Sequence, residues 1–152
     1  MYHYLIAFGA SEGNRSENIQ DALAKIQSLG AMEALSQVIS TPPYGGVAQG
    51  EFLNGALILS SKLSPETLMT RLLGIEAELG RERTRKWSDR PIDLDLILEK
   101  SGLVWNSDLL TLPHPEFHKR SFVLIPAGEI APDWIYPVLN RTVLEIWGSL
   151  EP

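Results

Sequence analysis

A run of basic residues followed directly by two carboxylates is the part of the sequence best suited to chemistry. Five of the 13 Lys and Arg residues lie within residues 81–90, just before Asp93 and Asp95. In a strand, side chains two residues apart point to one face and lie about 6–7 Å apart. Carboxylates bind Mg²⁺ through hard oxygen ligands, and guanidinium groups neutralise phosphate oxygens. The pattern favours a site for a metal-bound polyphosphate; a surface loop beside a strand with two solvated acids is the alternative.

The elements around this stretch predict an α+β fold. Apolar residues at strand spacing predict strands over residues 2–8, 34–40, 52–59 and 92–98. Two helices are expected between them, one capped by Ser16 and ending at Gly30, the other running from Ser64 to Gly80. A short helix over 120–125 follows, and the segment from 137 to the end is expected to contain a last helix with Val143, Leu144 and Trp147. The order predicts a ferredoxin-like β-α-β-β-α-β core with an antiparallel sheet and extra C-terminal helices, in a single domain over residues 1–152.

Composition excludes several classes of function. Without cysteine the chain has no disulfide, thiolate metal site or cysteine nucleophile, which fits a reducing cytoplasm. A net charge of −6 disfavours general nucleic-acid binding, whereas a local basic cluster suits a small polyanion. No apolar run approaches the ~18 residues of a membrane span, and the sequence opens on a strand-like run without a signal-peptide pattern. We expect a cytoplasmic monomer that binds neither nucleic acid nor membranes.

Other candidate residues have two readings each from the sequence alone. The loop over residues 41–51 is long for a compact domain, and long loops often bind ligands. Asn54 lies among apolar neighbours, where its amide could satisfy a buried backbone group or read the edge of a heterocycle. His114, between two prolines, could be structural, and Phe52 and Phe122 could be ordinary core aromatics.

Four stretches, in order and spacing, carry a resemblance to a known family. They are Thr41-Pro42-Pro43-Tyr44-Gly45 with Gln49, Phe52, Leu53 and Asn54; Ile75-Glu76 with Leu79-Gly80-Arg81 and Arg83; Trp87, Arg90 and Ile92-Asp93-Leu94-Asp95; and Leu112-Pro113-His114-Pro115 with Arg120, Phe122-Val123-Leu124 and Glu129-Ile130-Ala131-Pro132. The chain resembles the 6-hydroxymethyl-7,8-dihydropterin pyrophosphokinases of folate biosynthesis over nearly its whole length. The resemblance implies a ferredoxin-like, Mg²⁺-dependent diphosphotransferase that moves pyrophosphate from ATP onto the hydroxymethyl group of a reduced pterin and releases AMP.

The resemblance also implies roles for individual residues. Asp93 and Asp95 would hold two Mg²⁺ ions, and with Arg81 and Arg83 they would form the catalytic set. The residues implied for ATP are Glu76, Arg81, Arg83, Trp87, Arg90, His114 and Arg120. The residues implied for the pterin are Thr41, Pro42, Tyr44, Phe52, Asn54 and Phe122, with the two phenylalanines on either side of the ring.

The chain departs from the family pattern at three places. Gly9-Ala10-Ser11 replaces the usual Gly-Ser-Asn, and Trp87-Ser88-Asp89-Arg90 replaces Trp-Gly-Pro-Arg. Leu109 and Leu110 stand where many members have an arginine. These changes bear on rate and ATP affinity, and they leave as an alternative a catalytically weak relative that acts as a pterin- or nucleotide-binding module.

Overall fold

The structure, a computed structural model, describes residues 1–11, 14–41, 52–80 and 92–150. The main sheet contains β1 (Tyr2–Ala10), β2 (Ala31–Leu35), β3 (Ile39–Thr41), β4 (Phe52–Ser61) and β5 (Asp93–Glu99). The helices are α1 (Arg15–Ile26), α2 (Pro65–Glu78), α3 (Ser121–Ile130) and α4 (Val143–Leu150). Two hairpins pair β6 (Trp105–Asn106) with β7 (Thr111–Leu112) and β8 (Ile135–Tyr136) with β9 (Arg141–Thr142). A 3₁₀ turn covers Phe117–Lys119.

The main sheet is antiparallel throughout and has the order β2-β4-β1-β5, with β3 also paired to β4. The first strand therefore lies between β4 and β5. This order, with two helices between strands, is the ferredoxin-like arrangement that the sequence predicted. Helices α3 and α4 are the expected C-terminal additions.

Both faces of the sheet are buried, because alternate residues of β1 enter two separate cores. Tyr4, Ile6 and Phe8 join a first cluster with the apolar faces of α1 and α2. Leu5 and Ala7 join a second cluster with α3 and α4. We call the side of the sheet that faces this second cluster the second face. Within the described ranges no helix is long and apolar enough to cross a membrane.

The strand expected over residues 34–40 is broken in the structure. Its two parts, β2 and β3, both pair with β4, and Ser36 lies in the gap. The Ser36 backbone N–H donates to the Ala56 carbonyl oxygen, and its Oγ accepts the Ala56 N–H, each at 2.9 Å. A side-chain oxygen thus replaces a ladder carbonyl, which a hydrophobic pattern does not reveal.

The start of α1 differs from the prediction. The N-cap of α1 is Asn14 and not Ser16, because the Asn14 Oδ1 accepts the backbone N–H of Glu17, three residues on, at 3.1 Å. The expected last helix begins at Val143, within the segment from 137 to the end. The residues before α4 form the β8–β9 hairpin, which turns through Asn140. The φ of Asn140 is 55°, a left-handed conformation that asparagine tolerates.

Candidate active site

Three neighbouring strands bring Asn54, Gly9 and Asp93 into one row across the sheet. Gly9 on β1 is opposite Asn54 on β4 and opposite Asp93 on β5. Asp95 is opposite Ala7, whose side chain belongs to the second core. Directly paired residues share a face, and so do residues two apart, so the amide and both acids belong to the second face. Asp93 and Asp95 are half-buried there, on one strand.

The absence of a side chain at Gly9 makes room for the Asn54 amide. A Cβ at Gly9 would lie 2.8 Å from the Asn54 Oδ1 and 3.4 Å from the Leu53 carbonyl oxygen. The Asn54 side chain therefore extends over the glycine, although Asn54 itself is only 7% exposed. Gly9 forms the floor of the row and lets the amide approach the acids of β5.

Helix α2 contributes a buried carboxylate to the strand of the two acids. The helix starts at Ser64 with Pro65 at its first position, and its chain turns away at Gly80, whose φ is +93°. Glu76 is 4% exposed, and its Oε2 accepts the backbone N–H of Leu94 at 2.6 Å. Glu76 thus contacts the peptide that separates Asp93 from Asp95.

His114 reaches the same strand from the loop after β7. Its backbone N–H donates to the Ile97 carbonyl oxygen at 2.8 Å, and its Nδ1 accepts the Glu116 N–H at 3.1 Å. Burial lowers the pKa of His114 below 6.5, nearby Arg120 lowers it further, and Glu116 opposes them. With Nδ1 accepting, a neutral ring carries its proton on Nε2, so Nε2 is a hydrogen-bond donor.

Arg120 and Phe122 form a second pair at the start of α3. The Arg120 guanidinium carbon lies 5.8 Å from the centroid of the Phe122 ring, within the range of a cation–π interaction. Helix α3 packs on β4, β1 and β3, and Phe122 packs against the second core. Phe52 is opposite Thr41 and two residues from Asn54, so it also belongs to the second face.

Asp93 and Asp95 are the two candidate metal ligands on β5. Among the residues that the structure describes, no group of three or more His, Cys, Asp or Glu side chains could hold a metal ion. Mg²⁺ commonly binds through one or two carboxylates and completes its octahedron with water and substrate phosphates. Two half-buried carboxylates on one strand therefore fit Mg²⁺ held jointly by protein and polyphosphate.

Six of the predicted site residues lie outside the described ranges. They are Arg81, Arg83, Trp87, Arg90, Pro42 and Tyr44, and their roles stay predictions. The described candidates, by contrast, converge on one region: Asp93, Asp95, Asn54, Phe52 and Phe122 belong to the second face, and Glu76 and His114 bond to the backbone of β5.

Comparison with known proteins identifies the family. The family model described as 7,8-dihydro-6-hydroxymethylpterin-pyrophosphokinase (HPPK) matches residues 5–132. The chain belongs to the HPPK family. Curated relatives agree: the 2-amino-4-hydroxy-6-hydroxymethyldihydropteridine pyrophosphokinase of Synechocystis sp. is 35% identical over 97% of this chain and 85% of its own, and that of Aquifex aeolicus is 33% identical over 92% and 87%. The Folic acid synthesis protein FOL1 of Dictyostelium discoideum is 33% identical over 90% of this chain and 21% of its own.

Solved structures show that the HPPK fold is shared as well. A crystal structure of HPPK-DHPS in complex with substrates superposes with a TM-score of 0.73 over 97% of this chain, at 11% identity. The wild-type Plasmodium falciparum HPPK-DHPS with SDX-DHP gives 0.74 over 98%, also at 11% identity. This chain spans 43% of each of those longer chains. The predicted family, fold and diphosphokinase activity are confirmed.

Two features of this HPPK site were missed from the sequence. The first strand was predicted to end at residue 8, but Gly9 lies within β1 and beneath Asn54. The available signal was a glycine next to a long apolar run, because a glycine inside a strand often marks a place where another group approaches the backbone closely. The hydrogen bond from the Leu94 N–H to Glu76 could not be predicted from the sequence, which shows only an acid next to the apolar face of α2.

Proposed function

We propose that this chain transfers pyrophosphate from ATP to 6-hydroxymethyl-7,8-dihydropterin, with release of AMP, on the second face of its sheet near Asp93. The observation that carries the proposal is the row of Asn54, Gly9 and Asp93 across three strands. It sets an amide suited to a heterocycle beside carboxylates suited to a metal-bound polyphosphate, which is the juxtaposition that a pterin pyrophosphokinase requires.

Asp93 and Asp95 would hold two Mg²⁺ ions against the phosphates of ATP. When bound, Mg²⁺ shields the phosphate charge and lowers the pKa of a hydroxyl in contact with it. The two aspartates orient the polyphosphate from a rigid strand, because β5 is hydrogen-bonded to the central β1. Positioning and charge stabilisation, and not covalent chemistry by the protein, dominate phosphoryl transfers of this kind.

Recognition of the pterin would fall to Asn54, Phe52 and Phe122. An amide offers both donors and an acceptor, which match the mixed hydrogen-bonding edge of a pterin. The two rings lie on the side of the sheet that carries Asn54, as expected for side chains that stack on a flat heterocycle. Thr41, Pro42 and Tyr44 would complete this end of the site from the loop that follows β3.

The phosphates would be bound by His114 and Arg120, together with Arg81, Arg83, Trp87 and Arg90. The lowered pKa of His114 keeps its ring neutral near pH 7, and the Glu116 N–H on Nδ1 leaves the Nε2 proton to donate to a phosphate oxygen. Arginines on residues 81–90 would stabilise charge where it develops on the transferred group.

The proposal includes the setting of the enzyme. We propose one domain over residues 1–152, in accord with two cores on the two faces of one sheet. A monomer in the cytoplasm remains the expectation from the sequence. No observation favours the alternative of a non-catalytic pterin-binding module, since the departures at Ala10, Ser88 and Leu109 leave both aspartates in place.

A direct assay tests the proposed function. The protein is mixed with ATP, Mg²⁺ and 6-hydroxymethyl-7,8-dihydropterin, and AMP is measured by chromatography. We expect one AMP for each pterin consumed and none when either Mg²⁺ or the pterin is left out. Pterin binding without AMP above the blank would reject the transferase and leave only a binding module.

A further inference from the structure

Glu76 is a buried acid with a contact that the proposed reaction does not explain. It is 4% exposed, and a carboxylate in such a place needs strong hydrogen-bond donors. One donor is the Leu94 N–H, at 2.6 Å from Oε2. That N–H belongs to the residue between the two proposed metal ligands, so the acid acts on the backbone that carries them.

Strand β5 depends on such contacts because it lies at the end of the sheet order β2-β4-β1-β5. Within the described ranges, β1 is its one neighbour in the main sheet. Hydrogen bonds from outside that sheet also reach β5: Glu76 accepts the Leu94 N–H, and the His114 N–H donates to the Ile97 carbonyl oxygen. These two bonds bracket Asp95. An edge strand held by such bonds on both sides of Asp95 resists fraying there.

We propose that Glu76 is a positioning residue for the metal site, which fixes the backbone between Asp93 and Asp95 through the Leu94 N–H. The inference rests on the proposed function, since it assigns those aspartates to Mg²⁺. The physical basis is that side chains alternate between the two faces of a strand. A local twist or slip at Leu94 would turn one carboxylate away from the second face, so that the two acids could no longer bind one polyphosphate together.

The position of Glu76 on α2 adds a second consequence. The Glu76–Leu94 bond joins α2 to the strand that carries Asp93 and Asp95. It therefore fixes the two proposed metal ligands relative to the helix.

Two substitutions separate the reach of Glu76 from its charge. Glu76→Gln keeps an oxygen at the same distance without the charge, whereas Glu76→Asp keeps the charge but is one methylene too short to reach the Leu94 N–H. The matched control is Glu78→Asp, because Glu78 lies on the same helix and pairs at the surface with Lys25 at 2.9 Å.

The first readout is hydrogen exchange of the Leu94 amide, followed by NMR without any ligand. Loss of the hydrogen bond to Glu76 should speed exchange of the Leu94 amide in Glu76→Asp by roughly tenfold. Exchange in Glu76→Gln and Glu78→Asp should stay close to that of the wild type. This measurement needs neither metal nor catalysis.

The second readout is calorimetric binding of Mg²⁺ with α,β-methylene-ATP, in which the bridge broken by the transfer is replaced by a methylene. Loss of a partner that orients metal ligands commonly costs roughly 10–100-fold in affinity, which we expect for Glu76→Asp. Glu76→Gln should bind nearly as well as Glu78→Asp. AMP formation should fall in the same order.

Several results would overturn the inference. Unchanged Leu94 exchange and unchanged nucleotide affinity in Glu76→Asp would do so while the wild type still formed AMP, which would leave the proposed function intact. Impairment of Glu76→Gln together with a normal Glu76→Asp would show that charge, and not reach, is what matters. A wild type that neither binds the Mg²⁺ nucleotide nor forms AMP would refute the proposed function, and this inference with it.

Discussion

Replacement of Gly9 by alanine tests the arrangement of the site most directly. The new Cβ would lie 2.8 Å from the Asn54 Oδ1, whereas ordinary contact begins near 3.4 Å, so the amide must move by the difference of 0.6 Å. The atom that must yield is the end of a side chain, and stability should change little: the contact is partly offset by the ~0.5–1 kcal/mol that alanine gains over glycine in a strand. The amide, however, is displaced from the pterin that we propose it reads.

We expect pterin affinity of Gly9→Ala to fall by roughly 10–100-fold, since loss of one to two net hydrogen bonds at about 1–1.5 kcal/mol each has this effect. Affinity is measured by calorimetry, and stability by urea unfolding. Gly74→Ala is the control, because a Cβ at Gly74 meets nothing within 4 Å. It should leave pterin binding unchanged and stabilise α2 by about 0.5–1 kcal/mol. If Gly9→Ala binds the pterin as tightly as Gly74→Ala, the assignment of Asn54 to the pterin is refuted.

Three further substitutions probe separate parts of the molecule. Asp95→Ala should abolish AMP formation and leave pterin affinity within about one order of magnitude, since it removes a metal ligand and not a pterin contact; a parallel loss of pterin binding would contradict that division. His114→Gln should flatten the pH dependence of stability: a pKa held below 6.5 by burial makes the wild type lose stability as the pH falls from about 6.5 through the folded-state pKa, because the unfolded chain binds more protons there. Urea unfolding between pH 5 and pH 7 measures this slope, and a slope unchanged in the variant would assign the effect to another group. Ser36→Ala should destabilise the fold by about 1–3 kcal/mol, because it leaves the buried Ala56 N–H without the oxygen that accepts it. Exposed Ser28→Ala serves as the comparison and should change stability by less than about 0.5 kcal/mol.

Sequence reasoning recovered the order of elements because hydrophobic period is a strong signal over long segments. The strand that carries Asp93 and Asp95 alternates apolar and acidic residues, and it was predicted to within one residue at each end. The break at Ser36 and the N-cap at Asn14 were missed. Both depend on hydrogen bonds of a single side chain to the backbone, which the hydrophobic period does not encode.

The candidate site divides in a similar way. Residue type alone indicated Asp93, Asp95, Asn54 and His114 as candidates, since the chemistry of each side chain is evident from the residue itself. Contacts that depend on register were not accessible: the Asn54 amide over Gly9 and the Glu76 bond to Leu94 join positions 45 and 18 residues apart. The family resemblance indicated that Asn54 and Glu76 are functionally important, but only the folded chain shows which groups they contact.

The strand pairing that aligns Asn54, Gly9 and Asp93 also fixes the distance between the backbones that carry the amide and the acid. The amide and the nearer acid lie on strands separated by one intervening strand, and adjacent strands are about 4.8 Å apart, so their backbones lie about 9–10 Å from each other. Backbone hydrogen bonds fix this interval, and loop movement does not change it. With the proposed roles of Asn54 and Asp93, we expect the sheet to select among acceptors by the length from the ring edge to the attacking hydroxyl. An analogue whose hydroxyl is one methylene farther away should bind at Asn54 yet present its oxygen out of line with the phosphate.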